Sequence, residues 1–141
     1  MRTLSNKAVG VSIVGAGHTQ FGRMDARSLE DLIVDATRGA MEDAGVGTAD
    51  IDAVFLGHFN SGMVPDGFAS SLIFQADEGF RFKPAMRCEN ACASGAAAIY
   101  SGIRAIQAGA ARTVLVVGVE KMTERTTAEV TKALGGAGYQ H

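Results

Sequence analysis

Glu89-Asn90-Ala91-Cys92-Ala93-Ser94-Gly95 sets a cysteine where an extended segment gives way to a long apolar helix. On its upstream side, Pro84-Ala85-Met86-Arg87 reads as a short strand. Downstream, the helix is expected from Ala93 to about Ala108, with Cys92, Ala96, Ile99, Ile103 and Ile106 stepping by three and four along one stripe. Its remaining surface is largely alanine and glycine, with a narrow polar strip of Tyr100, Ser101, Arg104 and Gln107, so the helix is expected to be sandwiched between other elements. Gly109 supplies the C-terminal stop. The apolar run Val114 to Val119 then reads as a central strand of a parallel sheet covered on both faces. Strand, helix and strand in this order define an α/β fold with a parallel-type sheet.

The junction is also where a thiol becomes chemistry. The first turn of a helix leaves four N–H groups unpaired, and together with the positive end of the helix dipole they favour a thiolate. The same groups suit an oxygen that becomes negative when a thioester or ester carbonyl is attacked. Ala93, Ser94, Gly95, Ala96, Ala97 and Ala98 are all small, which leaves a substrate room to approach Cys92. Cys88, by contrast, lies in the strand leading in and is expected to be a small core residue.

Further upstream, Val11 to Val14 reads as a buried strand that opens into the turn Gly15-Ala16-Gly17. A dinucleotide fingerprint would need a third glycine where Gln20 stands, so the turn is read as a strand end. Ser28 with Asp31 three residues on forms a helix start, and Leu29, Leu32, Ile33, Ala36, Ala40 and Ala44 follow at helical spacing up to Gly45. Ala53 to Gly57 is a further buried strand, Ser61 to Gly67 a loop, and Phe68 to Ala76 a helix with Phe68 and Leu72 on one face. Glu78 to Lys83 is a polar connection. Thr126 with Glu129 caps a last short helix, Val130 to Leu134, before Gly135-Gly136-Ala137-Gly138. His18 and His58 both follow strand ends, where ligands gather in α/β proteins, but beside glycines in turns they are read as solvated or capping side chains.

Composition narrows the function classes. With 47% hydrophobic and 20% charged residues in 141, the chain is long enough to bury a core. A net charge of −2 without any Lys/Arg block offers no field for nucleic acid or an anionic membrane surface. The mixed polar start, Met1 to Gly10, has no apolar core of a leader, and no run approaches the roughly 18 apolar residues of a membrane span. Two cysteines four apart make neither a disulfide framework nor a zinc-ligand set. Free thiols in the cytoplasm are the expectation, with no metal.

The run Glu89 to Gly95, with Ala98-Ile99, Gly109-Ala110 and Thr113 to Met122, resembles the nucleophile region of the thiolases, the acetyl-CoA acetyltransferase family. Val14 to Arg23 resembles that family's first strand and turn, and Thr127-Ala128-Glu129-Val130 its continuation. The character is closest to bacterial and archaeal thiolases related to the sterol-carrier-protein type. The resemblance implies a thiolase-like layered fold, with residues 1–122 an incomplete N-terminal α/β domain and 123–141 the start of a loop domain or a frayed tail. It implies that Cys92 is the nucleophile, acylated by an acyl-CoA and releasing CoA, in the making or cleavage of 3-ketoacyl-CoA in fatty acid metabolism. The N–H of Cys92 would belong to an oxyanion hole. Coenzyme A thioesters are substrates in this scheme, no cofactor is needed, and the partner is a second copy or the remaining part of the thiolase.

Thiolases also carry a histidine in a Gly-His turn, an Asn or His on a further loop, and a second cysteine in a Cys-x-Gly segment. All three belong to the C-terminal half of that fold; His18 and His58 lie in no family position for a catalytic base, and His141 cannot stand for that histidine. The chain alone is therefore expected to be inactive, as part of a longer polypeptide or of a complex. Two alternatives are a ketoacyl-synthase-type condensing enzyme, which also sets a cysteine at a helix start, and a non-catalytic assembly module. The wording Asn-Ala-Cys-Ala-Ser-Gly and Glu-Lys-Met favours thiolase over the first.

Overall fold

The computed structural model describes residues 10–139; the start of the mixed polar N-terminus, 1–9, and His141 lie outside them. Helix α1 (Leu29–Ala44) begins on a complete capping box: the Ser28 hydroxyl accepts from the Asp31 N–H, and the Asp31 carboxylate accepts from the Ser28 N–H. It ends at Gly45, whose φ of 64° is the left-handed conformation a glycine cap supplies. Strand β1 (Ala53–Gly57) follows, then β2 (Ala85–Cys88), helix α2 (Ser94–Gln107), β3 (Val114–Gly118) and α3 (Thr127–Gly135). Thr126 and Glu129 cap α3 in the same reciprocal way.

The sheet is parallel, in the order β2-β1-β3. β1 is therefore the middle strand, and β3, expected to be central, pairs with β1 alone among the described residues. The continuous apolar run of β3 reflects cover on its two faces, not its place in the sheet. Leu115 and Val117 join Val54 and Leu56 in the core with Leu29 and Ile33 of α1 and Ile73. Val114 and Val116 point the other way, to Gly102 of α2.

Helix α2 packs through Ser94, Ala98 and Gly102, not through the isoleucine stripe, and Ile99 is half exposed. Close approach decides this: a Cβ on Gly102 would stand 3.0 Å from Val114 Cγ2 and 3.2 Å from Val116 Cγ2. Only the small face fits so near the sheet, and the larger isoleucines are turned to the flanks. The expected sandwich is absent among the described residues; α2 covers one sheet face and leaves its outer side open.

Three further expectations change. Val11 to Val14 forms no strand, although the outer edges of β2 and β3 are unpaired among the described residues, and Ile13 is 89% exposed. The Gly15-Ala16-Gly17 stretch instead lies on α1, where a Cβ at Gly15 would meet Ala44 Cβ at 2.6 Å and the Ala16 N–H donates to Asp43. Phe68 to Ala76 is a 3-10 helix, Ala69–Gln75, that buries Ala69, Ser70 and Ile73 and leaves Phe68 outside. The polar connection after it hides a fully buried Phe80 on a second 3-10 turn, Glu78–Phe80.

Candidate active site at the carboxyl ends of the strands

In the register, Gly57 of β1 faces both Cys88 of β2 and Gly118 of β3, so the three strands finish level. Their outgoing segments, from His58, Glu89 and Val119, share one edge, the usual place for a site in an open parallel sheet.

The Glu89–Ser94 turn is tied tightly. The Ala91 N–H donates to Glu89 Oε1 at 2.6 Å, the Asn90 N–H to Ser94 Oγ at 2.9 Å, and the Ser94 hydroxyl donates to Ala91 O at 2.7 Å. Ala91 has φ 47°, a left-handed conformation unusual for a residue with a Cβ. Cys92 follows on the outside of this turn, two residues before α2, and is exposed. Cys88 is buried, with its Sγ 3.6 Å from Ser101 Oγ, as a core cysteine should be.

Beside the turn opens a cleft of about 580 Å³, lined by Phe59, Asn60 and Ser61 on one side and Arg87, Glu89 and Ala91 on the other. It reaches the residues before Cys92, not the cysteine itself. The α3 segment leans in from above: Ser61 Oγ donates to Ala133 O at 3.2 Å and Arg125 Nε to Met63 O at 2.9 Å.

Sequence reasoning missed the group beneath the Phe59 wall. His58 is not solvated; it is fully buried, with Nδ1 3.0 Å from Val119 O and 3.4 Å from Glu120 Oε1. Glu120 accepts the N–H of Phe59 at 2.9 Å and that of Asn60 at 3.2 Å. Burial works to raise the Glu120 carboxyl, but the hydrogen bond and charge of His58 and the two N–H groups outweigh it and hold it below its ordinary value. Lys121 is also buried, its ammonium held by Met24 O, Thr123 and the half-exposed Glu124. The available signal was position alone: both His58 and Glu120 step off the ends of what prove to be adjacent strands. His18, in contrast, is exposed and rests against Phe21, with ring centroids 4.7 Å apart. Among the described residues no three His, Cys, Asp or Glu side chains gather as metal ligands, and no helix is long and apolar enough to cross a membrane.

Residues 11–141 match the model of the thiolase N-terminal domain family. The chain belongs to the thiolase family. Two curated relatives of this thiolase domain carry the name acetyl-CoA acetyltransferase. That of Methanothermobacter thermautotrophicus is 43% identical over 116 residues, covering 81% of this chain and 30% of the relative. That of Methanocaldococcus jannaschii is 39% identical over 131 residues, covering 92% and 33%. The chain thus spans about a third of the length of these relatives. Among solved structures, the priming β-ketosynthase of the R1128 polyketide pathway superposes with a TM-score of 0.57 at 25% identity, over 77% of this chain and 34% of that one. The thiolase resemblance and the α/β parallel-sheet class read from the sequence both hold.

Proposed function

We propose that this thiolase domain carries the nucleophile of an acetyl-CoA acetyltransferase, and that the nucleophile is Cys92. The observation that carries the reading is an exposed cysteine on a strained turn at the start of α2, at the carboxyl edge of the sheet, in a chain 43% identical to a protein of that name. In this scheme the Cys92 thiolate attacks the thioester carbonyl of an acyl-CoA, and the carbon–sulfur bond to CoA breaks. CoA leaves as its thiolate, takes up a proton, and the acyl group stays on Cys92. A second acyl-CoA gives up an α-proton, its carbanion attacks the acyl carbon, and the Cys92 thiolate departs as 3-ketoacyl-CoA forms. Cleavage is the reverse.

On the family resemblance the Cys92 N–H would help hold the oxyanion in both steps, while the N–H groups of Ala93 and Ser94 are engaged by Asn90 O and Ala91 O. The thioester itself activates the carbonyl, so the scheme calls for no metal or organic cofactor. The groups that move the protons are, on the family resemblance, a Gly-His histidine and a Cys-x-Gly cysteine; turnover is expected of the polypeptide or complex that carries them. We read 123–141 as the beginning of the loop domain, a second copy as the partner, and the cytoplasm, where Cys88 and Cys92 stay reduced, as the location.

The test is intact-mass and peptide spectrometry after mixing the full-length polypeptide that carries this segment with acetyl-CoA. The acetyl group is expected on the peptide of Cys92. An unlabelled protein, or a label on Cys88, overturns the reading. A strict need for malonyl-CoA as the condensing donor would favour the ketosynthase-type alternative, which the 0.57 superposition keeps in view.

A further inference from the structure

We infer that Glu120 and His58 are positioning residues: they set the Phe59–Ser61 wall of the cleft and thereby how an acyl-CoA seats beside the nucleophile turn. This rests on the function proposed above.

Three observations converge. One carboxylate, Glu120, holds two successive backbone N–H groups, those of Phe59 and Asn60, at 2.9 and 3.2 Å. The segment it holds is strained, since Asn60 and Ser61 are consecutive left-handed residues with φ 61° and 46°. Asn60 then spreads the constraint down the loop, its Oδ1 accepting the Val64 N–H at 2.9 Å. Such a conformation persists only where its surroundings over-determine it, and Glu120 is the charged part of those surroundings.

His58 fixes the carboxylate in turn. Its Nδ1 faces a carbonyl oxygen, that of Val119, at 3.0 Å, so it bears a proton, which also points toward Glu120 Oε1 at 3.4 Å. The other ring nitrogen, Nε2, is buried with no hydrogen-bond partner among the described residues. An unpaired buried nitrogen costs stability, and an apolar side chain would fill this place without that cost. What the histidine supplies is the oriented donor. The pair lies under the wall and not in the cleft, since neither residue lines it. Its effect on the reaction therefore passes through Phe59, Asn60 and Ser61, which do.

A positioning role is separated from a merely structural one by splitting binding from chemistry. In the full-length polypeptide, KM for acetyl-CoA and the maximal rate of Cys92 acylation are measured by rapid-quench mass spectrometry, with thermal melting alongside. Glu120→Gln is expected to raise KM about tenfold while the maximal acylation rate stays within about threefold. His58→Asn, which keeps a donor near the Nδ1 position, is expected to stay close to the parent, and His58→Leu to follow Glu120→Gln. Loss of folded protein alone would lower the active fraction and leave KM in place. An unchanged KM in folded Glu120→Gln overturns the inference, as does a collapse of the acylation rate at unchanged KM. If Glu120→Gln does not fold, equal KM values for His58→Leu and His58→Asn overturn it. A parent protein that never acylates Cys92 overturns the proposed function and this inference together. A parent that acylates normally beside a variant of unchanged KM overturns this inference only.

Discussion

Gly57→Ala is the substitution that most directly connects the packing of the sheet to the position of the cysteine. Gly57 closes the middle strand, and a Cβ built on it would stand 2.6 Å from Ser94 O and 2.8 Å from both Ser94 C and Gly95 Cα. All three are backbone atoms of the first turn of α2, so no side chain can swing away. Restoring an ordinary 3.4 Å contact requires the helix start to retreat by about 0.8 Å, which is overpacking at a rigid contact. Such strain costs about 1–3 kcal/mol, and the absence of a flexible neighbour places this site in the upper half of that range. For a chain of this size that is a fall in Tm of about 6–12 °C. Gly57 has no positive φ, so backbone conformation adds nothing to the cost.

Its neighbour in register provides the control. Gly118 faces Gly57 across the β1–β3 pair, and a Cβ there meets nothing within 4 Å. Gly118→Ala should shift Tm by no more than about 2 °C, as surface substitutions do. Thermal denaturation of both variants, with the rate of Cys92 alkylation by iodoacetamide, is the assay. Gly57→Ala should also change that rate, because the helix start that moves follows Cys92 by two residues. Equal effects of the two alanines, or a Gly57→Ala protein as stable as the parent, would refute the claim that close approach at Gly57 sets the height of α2.

Two more outcomes follow from the same geometry. Cys92→Ser should leave folding intact, since the side chain is exposed, and lower acyl transfer by several orders of magnitude; Cys88→Ser, buried beside Ser101, should cost about 1 kcal/mol and leave acylation near normal in the mass assay. Acid should destabilise the fold through carboxylates held below their ordinary values. Asp31 is lowered by the Ser28 N–H, Asp52 by the N–H groups of Arg112 and Thr113, and Glu129 by Thr126; Glu120 is lowered despite its burial. Because the folded values lie below the unfolded ones, this stabilisation is complete above the ordinary carboxylate values and lost as pH falls through the folded values. Tm should therefore be level near about pH 6 and decline from about pH 4.5 downward, with a shallower decline in Asp52→Asn. A flat Tm down to about pH 3 would contradict it.

What could be read in the sequence was whatever local chemistry decides. Ser28 with Asp31, Thr126 with Glu129, and Gly45 mark helix ends by bonds spanning a few residues, and all three are where the spacing put them. The strands Ala53–Gly57 and Val114–Gly118 show as apolar runs because both their faces are covered. Their order in the sheet does not show, since β1 and β3 carry the same kind of run, and pairing depends on which edge lies free. The buried face of α2 was misread for a related reason: a hydrophobic stripe marks a helix that packs at ordinary distance, whereas here Ala98 and Gly102 win by being small. His58 and Glu120 are 62 positions apart, and only the β1–β3 register brings them together. The turn and helix start beside Cys92 were legible because they are local features set by a few small neighbours.

Backbone strain then indicates which part of this edge the fold is built to hold still. Among the described residues, four non-glycine residues have positive φ: Asn60, Ser61, Phe82 and Ala91. Three of the four line the same cleft, Asn60 and Ser61 on one wall and Ala91 on the other. Each costs on the order of 1 kcal/mol relative to a relaxed residue, and glycine would relieve it at all three places. Glycine would also free the turn to move. With side chains at these positions, each wall has few conformations to choose from, and charged or hydroxyl groups select one: Glu89 and Ser94 for the Glu89–Ser94 turn, Glu120 for the facing loop. Rigid walls matter most for a covalent step, where an error of about 1 Å in the approach of a carbonyl to sulfur can cost a hundredfold in rate. With Phe82 the one exception among the described residues, this strained, side-chain-locked backbone stands on both sides of the cleft beside the Cys92 turn, as the proposed acyl transfer would call for.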